Sequence, residues 1–179
     1  MRKSNLRDCA SMIRFFAWLE ESLQDPNHTV TEYVAAEKCE EFKSQGSDLA
    51  IRPAFGTMMA FGLNSSCMHY FPDKDTALRL ENGTLLLDSG FHYRNGTTDI
   101  SRTLWLGNKE PSEFTKEVYT RSLQGLIDVN LHSKNIIRGK DLDTIAKKPL
   151  NDIGLSYGAA TGHGVGCGLC VHEKSVRVD

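Results

Sequence analysis

The chain has 179 residues, enough for one domain of ordinary size with a substantial core, which excludes a disulfide-dependent miniprotein. Hydrophobic residues make up 40% and charged residues 25%, near globular averages, which excludes a disordered tail or a fibrous repeat. Lys plus Arg is 21 against 23 Asp plus Glu, a formal net charge of −2, and no segment collects a basic excess, so nucleic acid is not expected as a partner.

In chain order, Leu6, Cys9, Ile13, Phe16, Leu19 and Leu23 recur at three- and four-residue steps and predict an amphipathic helix over residues 5 to 24. Asp25-Pro26-Asn27 stops it. Thr29 with Glu32 is spaced as a capping box for a second helix that carries Val34, Ala35, Cys39 and Phe42 and ends at Gly46. Two β-like runs follow, Met58 to Phe61 and Cys67 to Phe71, split by a loop at 62–65. Thr84 to Leu87 reads as a strand buried on both faces, and the Asn95-Gly96 turn signal implies a hairpin over roughly residues 84 to 105. A third helix is expected from Glu110-Pro111-Ser112 to His132, with Pro111 in the first turn and Phe114, Val118, Leu123, Ile127 and Leu131 on one side. A shorter fourth spans Asp141 to Lys148. The glycine-rich stretch from Gly158 to Val171 reads as strand and tight backbone packing, after which the chain stops without a closing element of its own. No linker or low-complexity tract breaks it, so the economical division is one domain, 1–179.

Five cysteines, Cys9, Cys39, Cys67, Cys167 and Cys170, suit a reducing compartment better than a disulfide framework, so a cytoplasmic location is expected. The longest apolar runs fall far short of a bilayer span, and no membrane role is expected. The Asn-Gly-Thr triplets at Asn82 and Asn95 read as turn chemistry. Cys167-Gly168-Leu169-Cys170 has redox or zinc spacing but neither a second pair nor a thioredoxin-like context.

Asp88 and Asp99 fall in the two arms of the hairpin, and Leu85-Leu86-Leu87-Asp88-Ser89-Gly90 is too apolar for a carboxylate without a partner. A divalent metal is the natural partner, and one carboxylate can bridge two ions ~3.5–4 Å apart. A three-residue loop, Arg94-Asn95-Gly96, pairs Tyr93 with Thr97 and sets Asp88 opposite Arg102. That offsets the two carboxylates by about 10 Å along a strand. A bulge near Ser89-Gly90 or Thr97-Thr98 is therefore expected. His163 and His172 lie within ten positions among many glycines, and His69 stands in Cys67-Met68-His69-Tyr70. With no nucleophile elbow or phosphate loop in the sequence, hydrolysis by metal-activated water is the better reading.

The combination of Leu87-Asp88-Ser89-Gly90, Tyr93, the run from Gly96 to Thr103, the run from Gly162 to Gly166 and Val171-His172-Glu173 resembles the cytosolic Xaa-Pro aminopeptidases (aminopeptidase P) of peptidase family M24. Leu6-Arg7-Asp8 and Phe15 to Glu20 resemble the first helix of that catalytic domain. The resemblance implies an α+β architecture, the pita-bread fold, enclosing two divalent metal ions, usually manganese, sometimes cobalt or zinc. It implies peptide substrates with proline at the second position, release of the residue before it by a metal-bridging hydroxide, and a homodimer. Asp88 would then ligate one metal, Asp99 bridge both and His163 ligate the pair. His172 would stabilise the tetrahedral oxygen, and His69 would position substrate.

Three departures qualify the resemblance. The family's remaining two ligands are glutamates beyond Val171-His172-Glu173, and only seven residues follow His172. The family's N-terminal domain is absent too. The chain therefore reads as a partial catalytic domain, incomplete at its C-terminus, with little or no peptidase activity expected of it alone and core surface exposed to self-association. Ala159 stands four residues before His163, where the family commonly has another histidine, and Lys174-Ser175 replace Gly-Pro. A non-catalytic binding module of the same fold, and a prolidase-like or methionine aminopeptidase-like enzyme, remain as alternatives.

Overall fold

The computed structural model describes residues 1–134, 138–168 and 170–179, apart from the side chains of 174–176. Among these residues no helix is long and apolar enough to cross a membrane. The chain packs as two compact units, residues 1–109 with 165–171, and residues 110–164 with 172–179.

In the first unit two helices cover antiparallel sheet. Helix α1 (Arg2–Gln24) buries Ser4, Asp8, Ser11, Met12, Phe15 and Leu19, a stripe at steps of three and four. The stripe is rotated from the one expected, for Leu6 and Ile13 face solvent. The reason is polar: Asp8 is drawn inside by a lysine, and periodicity of apolar residues cannot register that. Helix α2 (Glu32–Gln45) is capped by Thr31, whose Oγ1 accepts from the Val34 N–H at 3.3 Å. Thr29 and Glu32 form no capping box, since Glu32 is fully buried and bonded elsewhere.

Strands β1 (Ala50–Pro53), β4 (Phe91–Tyr93) and β5 (Gly96–Thr97) form one sheet in the order β1-β4-β5. Strands β2 (Met58–Phe61), β3 (Gly83–Ser89) and β6 (Ile100–Leu106) form another in the order β2-β3-β6. Leu85 and Leu87 of β3 are fully buried and join Met12, Phe15, Leu19, Ala35, Cys39 and Met59 in the core. The other face of β3 is half-buried, so the strand alternates and is not buried on both faces as expected. Cys67 to Phe71 is not a strand: a 3-10 turn at Gly62–Ser66 runs into an irregular loop tied down from within.

In the second unit α3 (Glu113–His132) packs on α4 (Gly139–Asn151). Ser112 caps α3 through Oγ, which accepts from the Thr115 N–H at 3.1 Å, so Pro111 precedes the helix and is not in its first turn. The expected apolar side of α3 is solvent-facing: Phe114, Leu123, Ile127 and Leu131 are exposed, and Gly125 is the buried residue of the helix. Strands β7 (Gly162–Val165) and β8 (His172–Val178) make a two-stranded sheet, so the chain does close on a strand, against expectation.

Candidate metal centre

The hairpin that carries the two carboxylates turns through a two-residue loop. Tyr93 pairs with Gly96 and His92 with Thr97, and further along Ser89 pairs with Ile100 and Asp88 with Ser101. The expected three-residue loop and the Asp88–Arg102 pairing are therefore corrected. Gly90 and Phe91 on one side face Thr98 and Asp99 on the other, an equal number, so no residue is inserted and the expected bulge is absent. Asp99 lies two positions from Ser101, the partner of Asp88. Asp88 lies in β3, and Asp99 lies in the short break between β5 and β6 on the other arm of the same hairpin.

What does occur is a break in the ladder. The Phe91 N–H donates to Thr98 Oγ1 at 3.0 Å in place of a backbone carbonyl, while the Thr98 N–H keeps its bond to the Phe91 carbonyl. Gly90 is needed here, because a Cβ would meet the Thr98 carbonyl oxygen.

Asp88 is half-buried, and its Oδ1 is buried without a hydrogen-bond partner. A desolvated carboxylate oxygen is the donor chemistry that a hard divalent cation takes. Asp99 is likewise half-buried, with Thr98 and Ile100 buried on the opposite face. Among the described residues, no group of three or more His, Cys, Asp and Glu side chains stands close enough together to hold a metal ion.

Sequence reasoning missed two buried networks around this hairpin. Lys43, 1% exposed, pairs with fully buried Asp8 at 3.1 Å and donates to the Ser89 carbonyl at 3.3 Å. Tyr93 donates to the other Asp8 oxygen at 3.0 Å, and burial, then the Asp8 charge, push its phenol pKa well up. These groups join both helices to the strand end that carries Asp88. The second network surrounds Glu32, whose oxygens accept from the Phe61 N–H (2.6 Å), the Leu78 N–H (2.8 Å), the Tyr70 hydroxyl (2.8 Å) and Asn64 Nδ2 (3.0 and 3.1 Å). It fastens both ends of the segment that presents His69. His69 is exposed and has a φ of 55°, a left-handed conformation a side chain adopts at a cost of about 1–3 kcal/mol.

In the second unit the His163 and His172 rings meet edge to face with centroids 4.3 Å apart. His163 Nδ1 lies 2.8 Å from the Gly164 carbonyl oxygen, within hydrogen-bond reach. Ala159 is half-buried, and the side chains of Lys174 and Ser175 lie outside the described residues.

The model of metallopeptidase family M24 matches residues 1–179. The chain is 43% identical over 178 residues to Xaa-Pro aminopeptidase 2 of Sus scrofa, covering 98% of this chain and 26% of that protein. It is 38% identical over 176 residues to Xaa-Pro aminopeptidase 1 of Dictyostelium discoideum, covering 97% of this chain and 28% of the other. Among solved structures, the X-prolyl aminopeptidase of Caenorhabditis elegans, described as a cytosolic enzyme with a di-nuclear active site, superposes with a TM-score of 0.88 at 35% identity. The match covers 99% of this chain and 29% of that one. The chain therefore spans between a quarter and a third of the length of these relatives. With helices and antiparallel sheet arranged as in the pita-bread structures of these enzymes, and a match along its whole length, the chain belongs to metallopeptidase family M24.

Proposed function

We propose that residues 1–179 are part of the catalytic domain of a metal-dependent aminopeptidase that releases an N-terminal residue preceding proline. The observation that supports this reading is the buried Asp88 Oδ1, without a hydrogen-bond partner, on the hairpin whose other arm carries Asp99. Family membership and the names of the relatives support the substrate class.

In this reading Asp88, Asp99 and His163 hold two divalent ions, manganese being the first choice and cobalt or zinc the others. Bound ions supply Lewis-acid polarisation of the scissile carbonyl and lower the pKa of water. His172, beside His163, donates a proton-bearing nitrogen toward the oxygen that gains charge, and exposed His69 orients the peptide. Lys43 and Glu32 hold the strand end and the loop that present these groups. The polypeptide of 179 residues carries only part of such a donor set and is inactive by itself. Assembly as a homodimer and a cytoplasmic location belong to the same reading; the cytosolic relative and the five free cysteines support the latter.

Manganese titration by calorimetry beside an Asp99→Ala control, with cleavage of an Xaa-Pro tripeptide followed in parallel, tests it. One weak ion lost in Asp99→Ala, with no cleavage, is the expected result. Binding unchanged by Asp99→Ala would overturn the ligand assignment, and two tight ions with cleavage would overturn the inactivity. If cleavage occurs, preference for an Xaa-Pro dipeptide over the tripeptide would favour a prolidase.

A further inference from the structure

Cys167 and Cys170 belong neither to the carboxylate hairpin nor to the histidine pair. Both are exposed free thiols. The Gly166 N–H donates to the Val171 carbonyl at 3.3 Å, so the cysteines stand one step inside a hydrogen-bonded closing pair. Residues one step inside such a closing contact face each other across the turn, and a disulfide needs Cα atoms about 4.4–6.8 Å apart. The backbone returns closely on itself: a Cβ on Gly166 would meet the Cys170 carbonyl oxygen, and Gly168 turns the chain with a φ of 78°. The Gly168 N–H also donates to Thr97 Oγ1 at 2.9 Å, which docks this connection on the hairpin two residues from Asp99.

We infer that Cys167 and Cys170 form a redox-active dithiol that low-molecular-weight disulfides such as oxidised glutathione close into an intramolecular disulfide. One cysteine thiolate attacks a glutathione sulfur, expels a glutathione thiolate and leaves a mixed disulfide. The second attacks the protein-side sulfur, forms the Cys167–Cys170 bond and expels the other glutathione. The two cysteine protons end on the two released glutathiones, and two electrons pass from the protein to the glutathione. The other cysteines are differently placed: Cys39 is buried, and burial raises its thiol pKa; Cys9 is half-buried; Cys67 is exposed with no cysteine beside it in sequence. This inference stands apart from the proposed peptidase activity.

The folded chain is equilibrated in graded mixtures of reduced and oxidised glutathione, quenched in acid, alkylated and mapped by peptide mass. Cys167 and Cys170 should lose two hydrogens together and carry no glutathione, while Cys67 carries a glutathione adduct. Cys167→Ser should place glutathione on Cys170 instead. Half-conversion should need at least about tenfold less oxidised glutathione in the folded chain than in urea. Separate glutathione adducts on both cysteines, pairing of either with Cys67, or equal conversion in urea would each overturn the inference.

Discussion

At the scale of single residues, two carboxylates of the first unit stand in opposite situations. Asp88 keeps a buried oxygen without a partner, whereas Glu32 is saturated by donors from three parts of the chain. Tyr70, one of those donors, has its pKa pushed up to about 12, first by burial and then by Glu32. Below pH 10 the phenol is protonated in both folded and unfolded chains, and its bond contributes fully. Between about pH 10 and 12 the unfolded chain has released the proton and the folded chain has not, so stability falls as pH rises and levels off above 12. Urea midpoints followed across that window should show the fall, and Tyr70→Phe should flatten part of it. An equally steep fall in the variant would mean that Tyr70 is not its source. Asp88, Asp99, His69, His163 and His172 stand out in the sequence because their types and neighbours are unusual. Glu32 does not, because its spacing from Thr29 imitates a helix cap, and only tertiary packing brings Phe61, Asn64, Tyr70 and Leu78 to it.

At the scale of elements, the contact between α3 and α4 turns on one residue. Gly125 is the buried position of α3, and a Cβ there would meet the Ala146 carbonyl oxygen of α4. Gly125→Ala gains about 1 kcal/mol of intrinsic helix propensity, yet it must push backbone from backbone, at a cost of about 1–3 kcal/mol for overpacking. A net loss of stability is expected, read as faster hydrogen exchange across α3 and α4. Slower exchange would show that propensity outweighs the contact. The sequence places both helices within a few residues, since caps and apolar periods are local. It misassigns the buried side of α3, because the period defines a stripe without naming what covers it.

At the scale of the whole molecule, α3 exposes Phe114, Leu126 and Leu131 at 65%, 59% and 68%. Side chains so exposed contribute little core energy but add apolar surface that lowers solubility. Phe114→Lys with Leu126→Lys should therefore raise the concentration at which the chain precipitates and leave the melting temperature within about 2 °C. A large drop in melting temperature would mean that these residues are packed in solution. The family match covers the whole chain, but the chain accounts for between a quarter and a third of its relatives' length.

The sequence by itself determined the helices, the hairpin and the family, because propensity, turn chemistry and motif spacing are local. Tertiary structure alone decided the register that pairs Asp88 with Ser101. A loop shorter by one residue shifts every pair in a hairpin, and nothing in Arg94-Asn95-Gly96 chooses between the two. It also decided that Asp8 and Lys43 meet in the core and that Glu32 gathers its donors. Buried charges are stable only where distant segments supply partners at hydrogen-bond distance, and that condition is met in space, not along the chain.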